Sequence, residues 1–273
     1  MFFIFTQRLD RCEFCTSILF NKLKLISMYD FLRSIYHRFR FYLKINWYKT
    51  LYFNFKMFPF STAIKLPVYI YEWVKFNDLS GEIVIDAPIK RGMIGFGQPY
   101  EMTKRSLGIA EFEISGKVIF KGYFQSGKDL LLVVKKGAVC EFGNMSSIAR
   151  MGKIICVQKI TLGNFARLGS ESQIIDTNFH IMVNTLTNEP YQLTMPVYVG
   201  NYNFISNRVT ILQKTITPDF CTIASNTLCN KDYSSFGENI LIGGIPANLL
   251  KNNISRDWEG EQIILEKSLI IKY

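Results

Sequence analysis

The sequence predicts a mainly β protein, built as a parallel β-helix of hexapeptide repeats. Its middle region is rich in Ile, Val and Gly, and small or turn-forming residues follow most of the repeated positions. The clearest register recurs every six residues, at Val199, Ile205, Ile211, Thr217, Ile223 and Cys229. A period of six fits neither an α-helix nor simple alternation. It fits a short strand and a sharp turn that repeat around stacked coils.

The repeat sets the bounds of the β-helix, which we place at residues 79–245. The same step of six continues upstream at Cys156, Leu162, Leu168 and Ile174. The rhythm breaks once, over residues 181–198, and returns at Val199. Because excursions from a regular scaffold often carry function, we expect a site near this loop. The tail, residues 246–273, begins "PANLLKNN", and we expect a short helix there, followed by an irregular or strand-like end.

The composition is that of a globular protein with a sizeable core. The chain has 273 residues, of which 48% are hydrophobic and 20% are charged. Its six cysteines follow no even spacing, which favours reduced thiols in a reducing compartment. No segment approaches the roughly 18 apolar residues needed to span a bilayer. Charges interrupt the N-terminus, so a signal peptide fits poorly, and we expect a cytoplasmic protein.

Residues 1–78 form a basic, aromatic N-terminal arm. Residues 1–75 contain 12 Lys and Arg against 4 Asp and Glu, and 21 of the 40 aromatic residues of the chain. Apolar side chains recur at helical spacing at Leu32, Ile35, Phe39 and Leu43. Basic residues supply much of the remaining surface, so the pattern predicts an amphipathic helix.

The role of this helix is left open by the sequence. Its apolar face packs on its own protein or a neighbouring subunit, or else residues 29–60 contact a membrane surface. Nucleic acid is not an expected partner, because no recognition motif accompanies the charge. Cys12 and Cys15 form a CxxC pair, but zinc needs two further ligands, so no metal is expected. Met28, just before the helix, is an alternative start to Met1.

From about residue 140 to residue 252 the chain resembles the hexapeptide-repeat acyltransferases, close to galactoside, maltose and polysaccharide O-acetyltransferases. The matching stretches are "QIIDTNFH", "PVYVGNYNFISNRVTI", "TPDFCTIASNTLCNKD" and "IGGIPANLL". The resemblance implies a left-handed β-helix and a homotrimer with active sites between neighbouring subunits. It also implies acetyl-CoA as cosubstrate and direct transfer of the acetyl group to a hydroxyl of a sugar or polysaccharide precursor.

His180 falls on the position of the general base of this family. The residues alone point the same way, since histidine titrates near neutral pH and a general base needs such a pKa. Of the two histidines, His37 lies in the basic helix, whereas His180 ends a coil and opens the loop. If the segment is extended, Asp176 and Asn178 share its face, and we expect Asp176 to orient the imidazole. A structural histidine and a solvated Asp176 are the alternatives.

The resemblance also implies the residues that bind acetyl-CoA. Phe204 stands where the family often has a tryptophan beside the pantetheine arm. Lys231 would pair with the anionic 3′-phosphate, with a solvated lysine as the alternative. One backbone N–H, with Ser206 as a candidate, would stabilise the thioester oxyanion. The full set is Phe204, Ser206, Asn207, Ala224, Ser225, Asn230 and Lys231.

Other functions remain open on the same scaffold. An N-acetyltransferase of an amino sugar or nucleotide sugar would use the same single histidine, and a non-catalytic assembly protein would need none. A γ-type carbonic anhydrase needs three histidines, and the coil region holds one. Nucleotidyltransferases with this repeat carry a Gly-rich nucleotide-binding domain, which residues 1–78 lack. The acceptor and the acyl chain length are not predicted.

Overall fold

The chain divides into two compact units, residues 1–44 and residues 45–272. The computed structural model describes residues 33, 35–36, 39–98, 106 and 108–270. In the first unit residues 39–42 are helical, as the spacing predicts, and Ile35, Phe39 and Leu43 are exposed. The other features predicted for the arm lie outside the described residues, namely Leu32, His37, Cys12, Cys15 and Met28.

The second unit is a parallel β-helix with three sheets. The first sheet contains β1 (Val68–Ile70), β4 (Ile94–Phe96), β7 (Phe124–Ser126), β10 (Ser146–Ile148), β13 (Arg167–Leu168), β16 (Phe204–Ile205), β19 (Cys221–Ile223), β21 (Ile240–Gly244) and β22 (Ala247–Asn252). The second contains β2 (Val74–Asp78), β5 (Ala110–Ile114), β8 (Leu131–Val134), β11 (Lys153–Cys156), β14 (Gln173–Ile175), β17 (Thr210–Leu212) and β20 (Leu228–Cys229). The third contains β3 (Glu82–Ile85), β6 (Lys117–Phe120), β9 (Val139–Phe142), β12 (Lys159–Leu162), β15 (Val197–Val199) and β18 (Ile216–Thr217).

Successive strands pass from the first sheet to the second and the third, so three strands make one coil. From β1 to β17, each strand pairs in parallel with the strand three places later, and the inward side chains stack from coil to coil. Ile154 lies in register with Leu132 on one side and with Ile174 on the other. This architecture confirms the predicted mainly β fold class, a left-handed parallel β-helix of hexapeptide repeats.

The corner between the third and first sheets carries a ladder of side-chain hydrogen bonds. The Oδ1 atom of Asn164 accepts the N–H of Asn144 at 2.8 Å, and that of Asn201 accepts the N–H of Asn164 at 2.9 Å. Gly163 directly precedes Asn164, and a Cβ at position 163 would lie 2.6 Å from the backbone nitrogen of Asn201. At position 163 the coils therefore approach each other too closely for a Cβ atom.

An N-terminal cap closes the first coil. It consists of α1 (Trp47–Met57) and α2 (Phe60–Ala63). The Asn54 side chain donates to the carbonyl of Val68 at 2.8 Å and accepts its N–H at 3.2 Å, and the Thr50 hydroxyl accepts the N–H of Ile70 at 3.0 Å. These side chains satisfy the free edge of β1 as another strand would. The β-helix thus begins at Val68, inside the segment that the sequence assigned to the arm.

The C-terminal tail contains the expected short helix, but a strand precedes it. Residues 247–252 form β22, which pairs antiparallel with β21 and covers the last edge of the first sheet. The helix comes later, as α3 (Gln262–Leu269), and a 3-10 turn covers Ser234–Phe236. Within the described ranges, no helix is long and apolar enough to cross a membrane. The four cysteines described are buried free thiols, namely Cys140, Cys156, Cys221 and Cys229.

Candidate active site

The predicted excursion is an ordered hairpin at the corner between the second and third sheets. The chain leaves the coil after β14 and returns at β15. Backbone hydrogen bonds join its two arms, from the N–H of Asn178 to the carbonyl of Leu193 at 3.0 Å and from that of Tyr191 to the carbonyl of Met182 at 2.8 Å. The N–H of Asn184 also donates to the carbonyl of Glu189 at 2.9 Å, close to the tip. The loop is therefore a fixed projection from the β-helix.

His180 lies on the first arm of this hairpin, and its side chain is exposed. Its backbone N–H donates to the carbonyl of Asn178 at 2.7 Å, and Phe179 has a positive φ of 60°. No hydrogen bond to the imidazole comes from any residue within the described ranges. The imidazole is thus available to a substrate or to another subunit.

Asp176 has a different environment from the one the sequence predicts. Its side chain is fully buried, and its carboxylate accepts the backbone N–H groups of Val157, Gln158 and Lys159 at 2.7 to 2.8 Å. The chain bends at Asp176, Phe179 and His180, so the extended segment on which the shared face depended is absent from this stretch. Among the described residues, the carboxylate holds the neighbouring coil, at the point where the hairpin departs.

Four of the predicted cofactor residues meet at the corner between the first and second sheets. Ser206 and Asn207 follow β16, and Ala224 and Ser225 follow β19 in the next coil, with the two strands in parallel register. The Asn207 side chain accepts the N–H of Ser170 at 2.9 Å. Asn207 and Ser225 are exposed. This corner therefore presents polar side chains from two adjacent coils, one coil spacing apart.

The Ser206 N–H does not serve as the oxyanion donor in this arrangement. It donates to the carbonyl of Ile223 at 2.9 Å, and the N–H of Ala224 likewise donates to the carbonyl of Ile242 at 2.9 Å. Both groups belong to the ladder between coils. A sequence cannot reveal this, because the assignment of each N–H depends on which coil lies above it.

Phe204 forms part of a wall that the sequence did not predict in full. The guanidinium carbon of Arg256 lies 5.0 Å from the centre of the Phe204 ring and 5.1 Å from that of Trp258. Arg256 also forms an ion pair with Glu261. The tail therefore places a cation, with cation–π geometry, against the predicted pantetheine wall. Arg256 stands within "ISRDWEGE", and nothing local in that stretch identifies its partner.

Asn230 and Lys231 lie after β20, at the same corner as the hairpin. The Lys231 ammonium lies 5.5 Å from the centre of the Tyr233 ring and 5.8 Å from that of Phe236. Burial raises the pKa of Tyr233 to about 12, so the ring beneath the cation remains a neutral phenol. Two coil spacings of about 4.8 Å each separate β20 from β14, so Lys231 lies about 10 Å along the axis from the base of the hairpin.

The predicted residues thus occupy two corners along one end of the β-helix. A cavity of about 370 Å³ lies elsewhere, between α3 and the corner between the third and first sheets. None of the predicted residues lines it; its walls include Lys90, Lys121, Tyr123, Asn144, Phe165 and Glu266. Over the part of the chain that the structure describes, no group of three or more His, Cys, Asp or Glu side chains is placed to hold a metal ion.

No family model and no curated protein matches the sequence. Among solved structures, the polySia specific acetyltransferase NeuO is 15% identical, with a TM-score of 0.42, over 67% of this chain and 81% of its own. The polysialic acid O-acetyltransferase OatWY is 16% identical, with a TM-score of 0.35, over 67% of this chain and 87% of its own. A hexapeptide-repeat acetyltransferase from Vibrio cholerae O1 biovar eltor, VCA0836, is 20% identical in its acetyl-CoA complex, with a TM-score of 0.36, over 41% and 60% of the two chains.

Proposed function

We propose that the protein is an acetyl-CoA-dependent O-acetyltransferase that acts on a hydroxyl of a sugar or polysaccharide precursor. The observation that carries this proposal is the position of His180, exposed on a hairpin that starts from the corner shared with Lys231. The imidazole removes the proton from the acceptor hydroxyl as its oxygen attacks the thioester carbon of acetyl-CoA. The C–S bond then breaks, the acetyl ester forms and CoA leaves as the thiol, without an acyl-enzyme.

The predicted cofactor residues support this reaction by their order along the axis. From the hairpin the chain passes through the coil of Ser206 and Asn207, then that of Ala224 and Ser225, to Lys231 near the last strand of the second sheet. The two corners supply polar groups at successive coils and, at Lys231, a cation for the phosphate of an elongated cofactor. Arg256 adds a second cation at the Phe204 wall.

A second copy of the chain would complete the site. The hairpin exposes apolar side chains that its own unit leaves uncovered, which are Phe179, Ile181, Met182, Val183, Leu186 and Tyr191. Leu186 is 92% exposed, which is costly for an ordered loop in water. These observations support the predicted homotrimer with sites between subunits. The buried free thiols fit the cytoplasmic location that we expect.

The test is transfer from acetyl-CoA to a panel of sugars and glycans that offer hydroxyl or amino groups. His180→Ala should lower kcat/KM at least about 100-fold, since general-base catalysis contributes 10²–10⁴-fold. Acetyl-CoA affinity by calorimetry and subunit number by sedimentation should not change. His37→Ala is the matched control and should retain full activity.

Three results would contradict the proposal. Activity of His180→Ala within about tenfold of the wild type excludes the general-base role. Transfer to amino acceptors alone would make the protein an N-acetyltransferase. Absence of both acetyl-CoA binding and transfer would leave the β-helix as an assembly scaffold.

A further inference from the structure

The outer surface of the N-terminal cap is apolar, which is unusual for the end of a solenoid. Tyr48, Leu51, Tyr52 and Phe55 follow the helical spacing of one face of α1. Phe60 joins them through its ring, which lies 6.0 Å from that of Phe55. With Trp73, these residues form what we call the cap face, and each side chain is between 44% and 72% exposed. Terminal repeats of solenoids normally have a polar outer surface that keeps them soluble.

The inner surface of the same helix fixes the cap face in place. Phe53 is fully buried, with its ring 5.6 Å from that of Phe76 and 6.2 Å from that of Phe96. Thr50 and Asn54 hydrogen-bond to the backbone of β1, as described above. The helix therefore cannot turn its aromatic face inward without losing these contacts. The cap face is a preformed surface, so little conformational entropy would oppose its docking.

The charged residues within the cap segment, residues 45–71, all have one sign. Residues 45–71 contain Lys49, Lys56 and Lys65 and no Asp or Glu. The next acidic residue, Glu72, is buried. The Lys49 ammonium lies 5.9 Å from the ring centres of both Tyr48 and Trp73, so cation and aromatic groups are interleaved within one surface.

This chemistry distinguishes between possible occupants of the cap face. A second copy docked through the same face would bring lysines against lysines, with no carboxylate from residues 45–71 between them. A bilayer surface with anionic headgroups accommodates both features. Tyr and Trp side chains favour the membrane interface, and lysines extend their ammonium groups to lipid phosphates while their stems remain in apolar surroundings. We propose that the cap face docks the protein on an anionic lipid surface.

The experiment is co-sedimentation of the full chain with vesicles of phosphatidylcholine, alone or with added phosphatidylglycerol. The wild type should bind the anionic vesicles more tightly, and added salt should weaken that binding. Leu51→Ser/Phe55→Ser should lower the partition coefficient at least about tenfold, given the apolar area removed. Leu250→Ser/Ile263→Ser, which changes exposed apolar residues in the tail, is the control.

The lysines provide a second pair of variants. Lys56→Gln/Lys65→Gln should weaken binding about fivefold for each lysine on anionic vesicles only. Lys136→Gln/Lys251→Gln, at exposed sites in the β-helix and the tail, should have little effect. Circular dichroism and thermal unfolding should match the wild type for all four variants.

Three outcomes would overturn the proposal. One is equal binding to both vesicle compositions, and another is binding that the cap-face variants leave unchanged. The third is lipid-independent self-association that Leu51→Ser/Phe55→Ser abolishes, which would assign the cap face to contacts between copies. Acetyl transfer to soluble acceptors is measured separately, so failure of the proposed function would not affect this result.

Discussion

The early and late coils of the β-helix fill their cores with different residues. From β4 to β9 the interior contains a column of phenylalanines, made of Phe96, Phe112, Phe120, Phe124 and Phe142. From β11 onward it is mainly aliphatic, with Ile154, Ile160, Ile174, Ile211 and Ile223. The connections differ too, since residues 86–93 and 97–109 separate early strands, whereas most late corners are short.

The early and late coils therefore differ in role: the early coils contribute most to stability, and the late coils carry the candidate site residues. Phenylalanine side chains bury large areas and contact several rings each, so the early coils supply a strong core next to the cap. The late coils repeat with a constant corner, which places polar groups of successive coils at equal spacing. All the predicted site residues lie from β14 onward. We infer that the early coils mainly stabilise the β-helix and the late coils position ligand groups.

The largest expected effect comes from opening the phenylalanine column. The ring of Phe96 lies within 4.8 to 6.4 Å of the rings of Phe53, Phe112, Phe120 and Phe124. Phe96→Ala should therefore lower the free energy of unfolding by about 3–5 kcal/mol, measured by urea denaturation. Ile263→Ala, at an exposed position in α3, is the control. A loss below about 2 kcal/mol would show that the column is not the main core of the early coils.

A smaller, pH-dependent effect is expected at Glu72, beside the cap. Burial raises the pKa of this carboxyl from 4.5 to about 7, although it accepts the N–H of Asp129 at 3.0 Å. Because the folded state favours the neutral form, the contribution of Glu72 is most favourable below about pH 4.5 and is lost as the pH rises through 7. Through this carboxyl the wild type should lose up to about 3 kcal/mol of stability between pH 4.5 and pH 8. Glu72→Gln stays neutral, so the variant should not show this loss.

Urea denaturation at several pH values measures this effect. Glu82→Gln is the matched control, because the Glu82 side chain is 62% exposed and pairs only at the surface with Lys117. If Glu72→Gln and the wild type lose stability in parallel as the pH rises, the Glu72 carboxyl is not the buried acid responsible. Such a result would weaken the distinction between early coils that mainly stabilise the fold and late coils that carry the candidate site.

The smallest of the three effects tests the regular corner of the late coils. Gly163→Ala should destabilise by about 1–3 kcal/mol, because its Cβ would lie 2.6 Å from the backbone of Gly200 and Asn201. Gly108→Ala, where no atom lies within 4 Å of a Cβ, should change stability by less than about 0.5 kcal/mol. Thermal unfolding of both variants provides the measurement. Equal stability of the two would mean that the corner tolerates wider coil spacing.

The same comparison explains how far the sequence could predict the structure. The period of six was visible wherever short corners keep successive core residues equally spaced, as from Val197 to Cys229. The long early connections shift the register, so the start at Val68 was missed. The strand at residues 247–252 could not be predicted locally, because it forms to cover the edge of β21.

The candidate site was predictable to a similar degree. The break in the repeat over residues 181–198 located the hairpin from sequence alone, with His180 directly before it. The bonds of Asp176 depend on which coil stacks beneath it, and the contact of Arg256 with Phe204 depends on where the tail docks. Both are tertiary relations between segments distant in sequence. The orienting role of Asp176 and the cofactor roles remain predictions.

The number of coils also sets the distance between the first coil and the hairpin that carries His180. In the second sheet four strand spacings, from β2 through β5, β8 and β11, lead to β14, where the hairpin begins. At about 4.8 Å per strand, the hairpin stands about 19 Å above the first coil. With the cap face on a bilayer, the early coils would act as a rigid spacer of fixed height. Deleting one early coil would bring His180 about 5 Å closer to the lipid. Under the proposed function, this would change which hydroxyls of a surface-bound glycan are within reach of His180.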